Sequence, residues 1–342
     1  MTTTPIAVLG ATGAVGQQFV RLVDDHPTLE LVELVGASSA GQRYGEAVDW
    51  IAPGEVPEAV REETVLSTDA DLQADAVFSA IPSSAARTLE PRLAEQGKAV
   101  FTNASAHRME PDVPLVIPDV NPGHLDLVAG KDGYIVANPN CSAIVATTPL
   151  KPLLDEHGLD RVDVVTLQAL SGAGYPGVPS LDATANVLPR IGGEEDKIEA
   201  EPCKILGRPE ADQITNRDLQ LSATATRVPV PEGHLIVLHV DLADDASPEA
   251  VEATLEGYEP PAEVAKLHAT PERVIRVHED PDRPQPRRDA YTEDGMGVAV
   301  GRVREDPTAT VKLVALGSNT VRGAAGCSVV NAELAVERDY LG

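Results

Sequence analysis

The chain has 342 residues, with 54 acidic against 27 basic side chains and a formal net charge of −27, which excludes the basic face that a nucleic-acid binder needs. No run approaches the ~20 apolar residues of a membrane span, and three widely spaced cysteines offer neither a disulfide framework nor a metal site. An apolar fraction of 42% with 3% aromatics predicts a core of Val, Leu, Ile and Ala, and the length predicts about two domains.

The acid is dispersed, with no block of five like charges, and lysine is rarer than arginine. Such a surface resembles that of proteins adapted to high salt, where screening tames self-repulsion. Met-Thr-Thr-Thr-Pro leads straight into an apolar strand with no basic start or signal-type apolar stretch, so a cytoplasmic location is expected.

Residues 5–9, PIAVL, predict a buried strand, followed by the glycine loop GATGAVG, 10–16, and a helix striped by Phe19, Val20, Leu22 and Val23. LELVELVGAS (29–38), DAVFSAIPS (75–83) and KAVFTNAS (98–105) predict further strands, with a helix over 84–97 stopped by Gly97. Strands alternating with helices imply a parallel sheet covered on its faces. After about residue 156 the pattern changes. Strands at 161–170, 225–231, 234–244 and 311–317 follow without a regular helix between each pair, and 247–258 reads as a helix behind a Ser-Pro cap. Residues 279–290, EDPDRPQPRRDA, read as an exposed loop, and 322–341 as a final helix. The fold class expected is α/β: a dinucleotide-binding domain over 1–137, completed by the C-terminal helix 322–342, and an α+β domain with a mixed sheet over 138–321.

Gly10, Gly13 and Gly16, with Thr12, Ala14 and Val15 between them, stand between a strand and a helix. That placement lets backbone approach a pyrophosphate seated on the helix N-terminus. After the second strand come Ser38, Ser39, Gly41 and Gln42, with Arg43 nearby and no carboxylate before Glu46. NAD enzymes place an acid there for the ribose 2′-hydroxyl, so these donors favour the 2′-phosphate of NADP.

Cys141 follows Asn138-Pro139-Asn140 and precedes a helix expected from about 142. A thiol at a helix N-terminus feels the positive end of the dipole, which favours thiolate. Beside a nicotinamide site, such a thiol points to covalent capture of an activated carbonyl with hydride transfer; the competing reading is a small buried cysteine, which is assigned to Cys203 and Cys327. His234, after Gly233 and near Arg227, is the histidine placed to serve as acid and base.

The motifs GATGAVG, NASAHRMEPDVPLVIPDVNP, NPNC, LQALSGAGYPGV, EPCK, RVPVPEGH and GSNTVRGAAG, in this order over nearly the whole chain, resemble the aspartate-β-semialdehyde dehydrogenase family in its archaeal and fungal branch. The resemblance implies a Rossmann domain plus a catalytic and dimerisation domain, with the C-terminal helix returning to the first. The implied reaction is reversible NADP-dependent conversion of L-4-aspartyl phosphate to L-aspartate 4-semialdehyde and phosphate, in lysine, threonine and methionine biosynthesis, by a homodimer or homotetramer. It makes Cys141 the nucleophile that forms an acyl-thioester and His234 the acid/base, with Gln168 orienting the substrate. Arg227 would hold the substrate carboxylate and Glu201 its ammonium, Arg108 and Lys204 the phosphate, and Asn140 phosphate or substrate. Ser171 and Gly172 would line the nicotinamide side and Asn319 would touch its carboxamide. The chain departs from the family pattern at Ala225, at Leu235 and in a shortened ASSAGQRYG loop. A malonyl-CoA or related acyl-CoA reductase on the same scaffold is the close alternative, and a catalytically silent nucleotide-binding protein the distant one.

Overall fold

The structure, a computed structural model, describes residues 3–341. Its first sheet has five parallel strands: β1 (Thr4–Leu9), β2 (Leu29–Val35), β3 (Ala76–Ser79), β4 (Ala99–Thr102) and β5 (Tyr134–Ala137), in the order β2-β1-β3-β4-β5. All four residues of β3 and of β4 are buried, as the apolar runs require in a sheet covered on both faces. Helix α1 (Ala14–Val23) buries Phe19, Val20 and Val23, and Phe19 stacks on Phe78 of β3 with ring centroids 4.5 Å apart. The strand order reverses between β1 and β3, so the glycine loop after β1 opens where such sheets receive nucleotides. Helix α2 (Ser83–Glu95) joins β3 to β4.

From β5 the chain passes through Asn138-Pro139-Asn140 into helix α3 (Cys141–His157), which starts at the cysteine itself. Most of α3 is buried, including Ile144, Val145, Leu150 and Leu153. It packs beneath a second sheet of six strands: β6 (Leu159–Gln168), β9 (Gln220–Arg227), β10 (His234–Leu242), β11 (Ile275–His278), β12 (Val298–Glu305) and β13 (Val311–Gly317). The hairpin β7 (Arg208–Glu210) and β8 (Gln213–Thr215) stands apart from it. The six-stranded order is β11-β12-β13-β10-β6-β9. Its outer pairs β11–β12 and β6–β9 are parallel and its inner pairs antiparallel, which is the mixed sheet expected.

Three expectations need correction. Helix α4 (Glu194–Ile205) stands between β6 and β9, where no helix was expected. Its buried stripe includes Glu194, Glu201 and Lys204, so ionisable residues hide the apolar periodicity that marks a helix. Residues 279–290 are not simply exposed: Asp289 is 1% exposed and accepts hydrogen bonds from Arg283 and from the Gln285 N–H. The C-terminal segment is not one helix. Beyond α5 (Pro248–Glu256), which packs on α3, a π-helical turn (Val321–Ala325) also packs on α3 and leads directly into α6 (Gly326–Glu337), which packs on α1 and β4 of the first sheet. Among the described residues, no helix is long and apolar enough to cross a membrane.

Candidate active site

The site is built around the start of α3. Asn140 caps the helix, its Oδ1 accepting from the Ser142 and Ala143 N–H groups at 3.0 and 3.2 Å, the usual task of an N-cap side chain. Its Nδ2 donates to Glu194 Oε2 at 2.9 Å and its main-chain N–H to Glu201 Oε2 at 2.5 Å. Asn138 Nδ2 donates to Asn103 Oδ1 at 3.0 Å. The turn carrying Cys141 is thus held from three sides. Gly323 of the π-helical turn lies directly over it; a Cβ there would sit 2.7 Å from Cys141 Cβ.

Cys141 keeps some surface in a cleft of about 300 Å³ that it shares with Ala14, Val15, Asn103, Arg108, Ser171, Gly172, Glu194, Lys197 and Asn319. The pull of the helix terminus toward thiolate is opposed here. Burial and the Glu194 carboxylate push the thiol up to about 12, against the opposing pull of Arg108, the Ser142 N–H and Arg227. Desolvation outweighs the helix terminus here.

His234 opens β10 behind Gly233, whose φ of +95° suits glycine. The imidazole is fully buried. Its Nδ1 accepts the Ala169 N–H at 3.1 Å, and its Nε2 has no partner among the described residues. Burial and Arg227 lower it to about 3, with Glu194 pulling the other way. Gln168 and Arg227 face each other across the β6–β9 register. Arg227 Nη1 donates to the Ala169 carbonyl at 2.7 Å, and Gln168 Nε2 to Glu194 Oε2 at 3.3 Å. Gly172 joins these groups to the cleft, because a Cβ on it would lie 2.7 Å from Arg227 Nη1 and 3.0 Å from His234 Nε2.

The nucleotide end adjoins this cleft. Gly10 has φ +82°, and a Cβ on Gly16 would meet the Gly10 carbonyl oxygen at 2.1 Å, so both positions require glycine. Gly13 is the N-cap of α1, and Ala14 and Val15 begin its first turn beside Thr12. Past β2, Ser39 Oγ is buried without a partner among the described residues, and Ser38, Gly41 and Gln42 are exposed around it. Arg43 is paired with Glu62 at 2.5 Å. Asn319 links the two ends, donating to Ser171 Oγ at 2.8 Å and accepting from the Gly233 N–H at 3.0 Å.

Two family models match in succession: the NAD-binding domain of semialdehyde dehydrogenase over residues 5–128 and its dimerisation domain over residues 150–322. The chain belongs to the semialdehyde dehydrogenase family. It is 48% identical to an aspartate-semialdehyde dehydrogenase of Archaeoglobus fulgidus over 98% of this chain and 99% of that protein. It is 40% identical to that of Saccharomyces cerevisiae over 98% of each. The crystal structure of aspartate-semialdehyde dehydrogenase with NADP from Candida albicans superposes with a TM-score of 0.92 at 37% identity, covering 99% of this chain and 100% of that one. The archaeal and fungal kinship read from the motifs is borne out.

Within this semialdehyde dehydrogenase site, two expected ligands are placed differently. Glu201, read as the acid for a substrate ammonium, is 2% exposed, and its two oxygens bind Arg108 Nη1 at 3.0 Å and the Asn140 N–H. Lys204, read as a phosphate ligand, is 1% exposed and donates to the carbonyls of Arg108, Glu110 and Val113. An ammonium has three donors, and all three are engaged. The residues that do line the cleft are Glu194 and Lys197, paired at 2.7 Å. Sequence reasoning passed over them although the signal was present: Glu-x-x-Lys occurs at 194–197 and again at 201–204, two turns apart on one helix. Arg108 lines the cleft as expected, steadied by Glu201 and the Asn103 carbonyl at 2.7 Å.

Proposed function

We propose that the protein is an NADP-dependent aspartate-semialdehyde dehydrogenase, interconverting L-4-aspartyl phosphate and L-aspartate 4-semialdehyde through an acyl-thioester on Cys141. The observation that carries this reading is the single cleft running from the glycine loop to a thiol at the start of α3. Glycines that admit backbone close to a pyrophosphate fit a dinucleotide, and the unpaired Ser39 Oγ with its neighbouring donors fits a phosphorylated ribose. NADP(H), when bound, supplies or takes up the hydride.

The protein side chains then divide the substrate between them. Cys141 attacks the acyl carbon. Arg108 and Lys197 face the phosphate, Arg227 the α-carboxylate and Glu194 the ammonium. Gln168, held between Arg227 and Glu194, fixes the distance between these two ends. Three cations and one acid match a substrate with a phosphate dianion and a zwitterionic head. In a chain of charge −27 such a cationic grouping is local. Asn140 acts as the cap of the nucleophile's helix, with its amide toward Glu194. Ser171, Gly172 and Asn319 form the wall between the nucleotide and the thiol.

One face of the six-stranded sheet is covered by α3. The other leaves Val165 exposed and Leu167, Leu235, Val237 and His239 half-buried, and a second copy of the chain is the partner proposed for it. With L-aspartate semialdehyde, NADP reduction is expected to require phosphate and to vanish in Cys141→Ala. Full turnover in that variant overturns the covalent mechanism, and reduction of malonyl-CoA with none of aspartyl phosphate overturns the substrate.

A further inference from the structure

Arg108 reaches the cleft from a loop. The wall around it is made by Ile81, Pro82 and Ser83, which follow β3, and by Asn103, Ala104 and Ser105, which follow β4. Side chains carried on loops are held less precisely than those on helices or strands, so this end of the cleft needs a support beneath it.

Glu90 of α2 stands at that place. Its side chain is fully buried and does not line the cleft. Oε1 accepts from Ser79 Oγ and from Thr102 Oγ1, both at 2.6 Å. These are the last residues of β3 and β4, so one carboxylate oxygen joins the points from which both loops leave. Thr102 Oγ1 in turn accepts the Ala104 N–H at 3.0 Å. Oε2 has no hydrogen-bond partner among the described residues and faces His107 Nε2 at 3.6 Å. His107 is buried, and its Nδ1 meets Glu110 Oε1 at 2.9 Å. Glu90 therefore brackets the loop, holding Thr102 through one oxygen and facing His107 with the other. Asn103, just inside the bracket, accepts from Arg108 Nη2 at 2.7 Å through its carbonyl, and Arg108 itself follows His107. On the cleft side Ser83, at the start of α2, meets Ser105 Oγ at 2.9 Å and accepts the Ser105 N–H at 3.1 Å, so α2 holds the loop at two places.

A buried carboxylate burdens the fold. Burial raises the Glu90 carboxyl above its ordinary value, against Ser79, Thr102 and His107, which lower it. Well-packed apolar side chains often replace buried ionic groups without loss of stability, and a buried oxygen left without a partner calls for a reason other than stability. We infer that Glu90 is a positioning residue for the phosphate end of the cleft, acting through His107 and the ends of β3 and β4 to set where Arg108 points, a role that rests on the proposed reading of Arg108 as a cation for phosphate.

The test uses the full-length enzyme as Glu90→Leu, Glu90→Gln, His107→Phe and the double variant Glu90→Leu/His107→Phe, assayed with L-aspartate semialdehyde, NADP and varied phosphate. Misplacing a group by about 1 Å costs up to about 10²-fold, so Glu90→Leu is expected to raise the KM for phosphate about tenfold, with kcat and the KM for NADP nearly unchanged. Glu90→Gln keeps an oxygen for both hydroxyls and turns an amide toward His107, and should stay close to the unaltered enzyme. His107→Phe leaves the hydroxyl ties intact and is expected to raise the phosphate KM severalfold, which keeps the test open should Glu90→Leu not fold. The double variant should be no worse than Glu90→Leu, because residues that act through one contact do not add. A fall in kcat that accompanies every rise in KM, a Gln variant as poor as the Leu variant, or single effects that multiply in the double variant overturns the positioning role. Calorimetric titration of the same proteins with inorganic phosphate reads the role without turnover. Should the unaltered enzyme not turn over aspartate semialdehyde, the functional reading falls, while a phosphate affinity lost in Glu90→Leu and kept in Glu90→Gln still supports Glu90 as the positioning group. Equal affinity in all the variants, or no phosphate binding by the unaltered enzyme, overturns it.

Discussion

Lys204 and Lys197 lie two turns apart on α4, and their surroundings assign them opposite tasks. Lys204 is enclosed by three carbonyls of the 108–113 segment. Replacing it with Met leaves those acceptors buried and unpaired, at about 1–3 kcal/mol for each group stranded. Lys204→Met is therefore expected to lower the midpoint of urea unfolding strongly. Lys197→Met should leave that midpoint nearly unchanged and raise the KM for phosphate severalfold. A normal midpoint in Lys204→Met together with a raised phosphate KM restores it as the ligand. Acid sensitivity is also set by single residues. His124 accepts from Asn121 at Nδ1 and faces the Gly207 carbonyl at Nε2, at 3.0 and 3.3 Å. Burial lowers it from 6.5 to about 4. Its neutral form stabilises the fold fully above the unfolded value, and that stability is lost as pH falls from 6.5 toward 4, on the order of 3 kcal/mol. Stability measured from pH 7 to 4 should fall less steeply in His124→Gln; an identical slope excludes His124 as a source.

Three elements meet at one buried ion pair. Arg322 of the π-helical turn donates through both Nη atoms to Asp119 at 2.7 and 2.6 Å, and through Nη2 to Thr148 of α3 at 3.0 Å. Both charged side chains are nearly or fully buried, so the pair fixes the turn that presses Gly323 against Cys141. Removing one partner of a buried pair costs about 3–5 kcal/mol because the other is left uncompensated. Arg322→Met is expected to lose that much, and Arg322→Met with Asp119→Leu to recover part of it; a double variant as unstable as the single one argues against this cause. The same junction shows what the sequence conveyed. The strands of the first sheet were readable because β3 and β4 are apolar up to a terminal Ser79 and Thr102, and Cys141 was readable from its Pro-Asn turn. Helix α4 and the side chains it turns toward the cleft were not, since Glu194, Glu201 and Lys204 occupy buried positions where periodicity looks for Ile or Leu. Which Glu-x-x-Lys pair faces the cleft depends on the rotation of α4 against β9, a tertiary fact.

At the scale of the whole molecule, the site and the surface obey opposite electrostatic rules. Arg108 and Arg227 of the site are buried, and each is held by a carboxylate or carbonyl within a few ångströms, so salt has little access to them. The remaining charge is dominated by dispersed carboxylates, and with 54 acids to 27 bases they repel one another over the whole surface. The Debye length falls from about 10 Å at 0.1 M to about 3 Å at 1 M, which spans the spacing of neighbouring surface charges. Raising potassium chloride from dilute buffer to molar concentration is thus expected to raise Tm by several degrees, each kcal/mol contributing about 2–4 °C in domains of 150–250 residues. Chloride and sulfate salts at equal ionic strength separate screening from solvent exclusion, because sulfate also strengthens apolar burial. A Tm that rises with both, and begins to rise below 0.5 M, marks repulsion as the cause. A Tm indifferent to chloride and responsive to sulfate alone removes the case for a high-salt adaptation, and leaves the acidic surface as a matter of solubility.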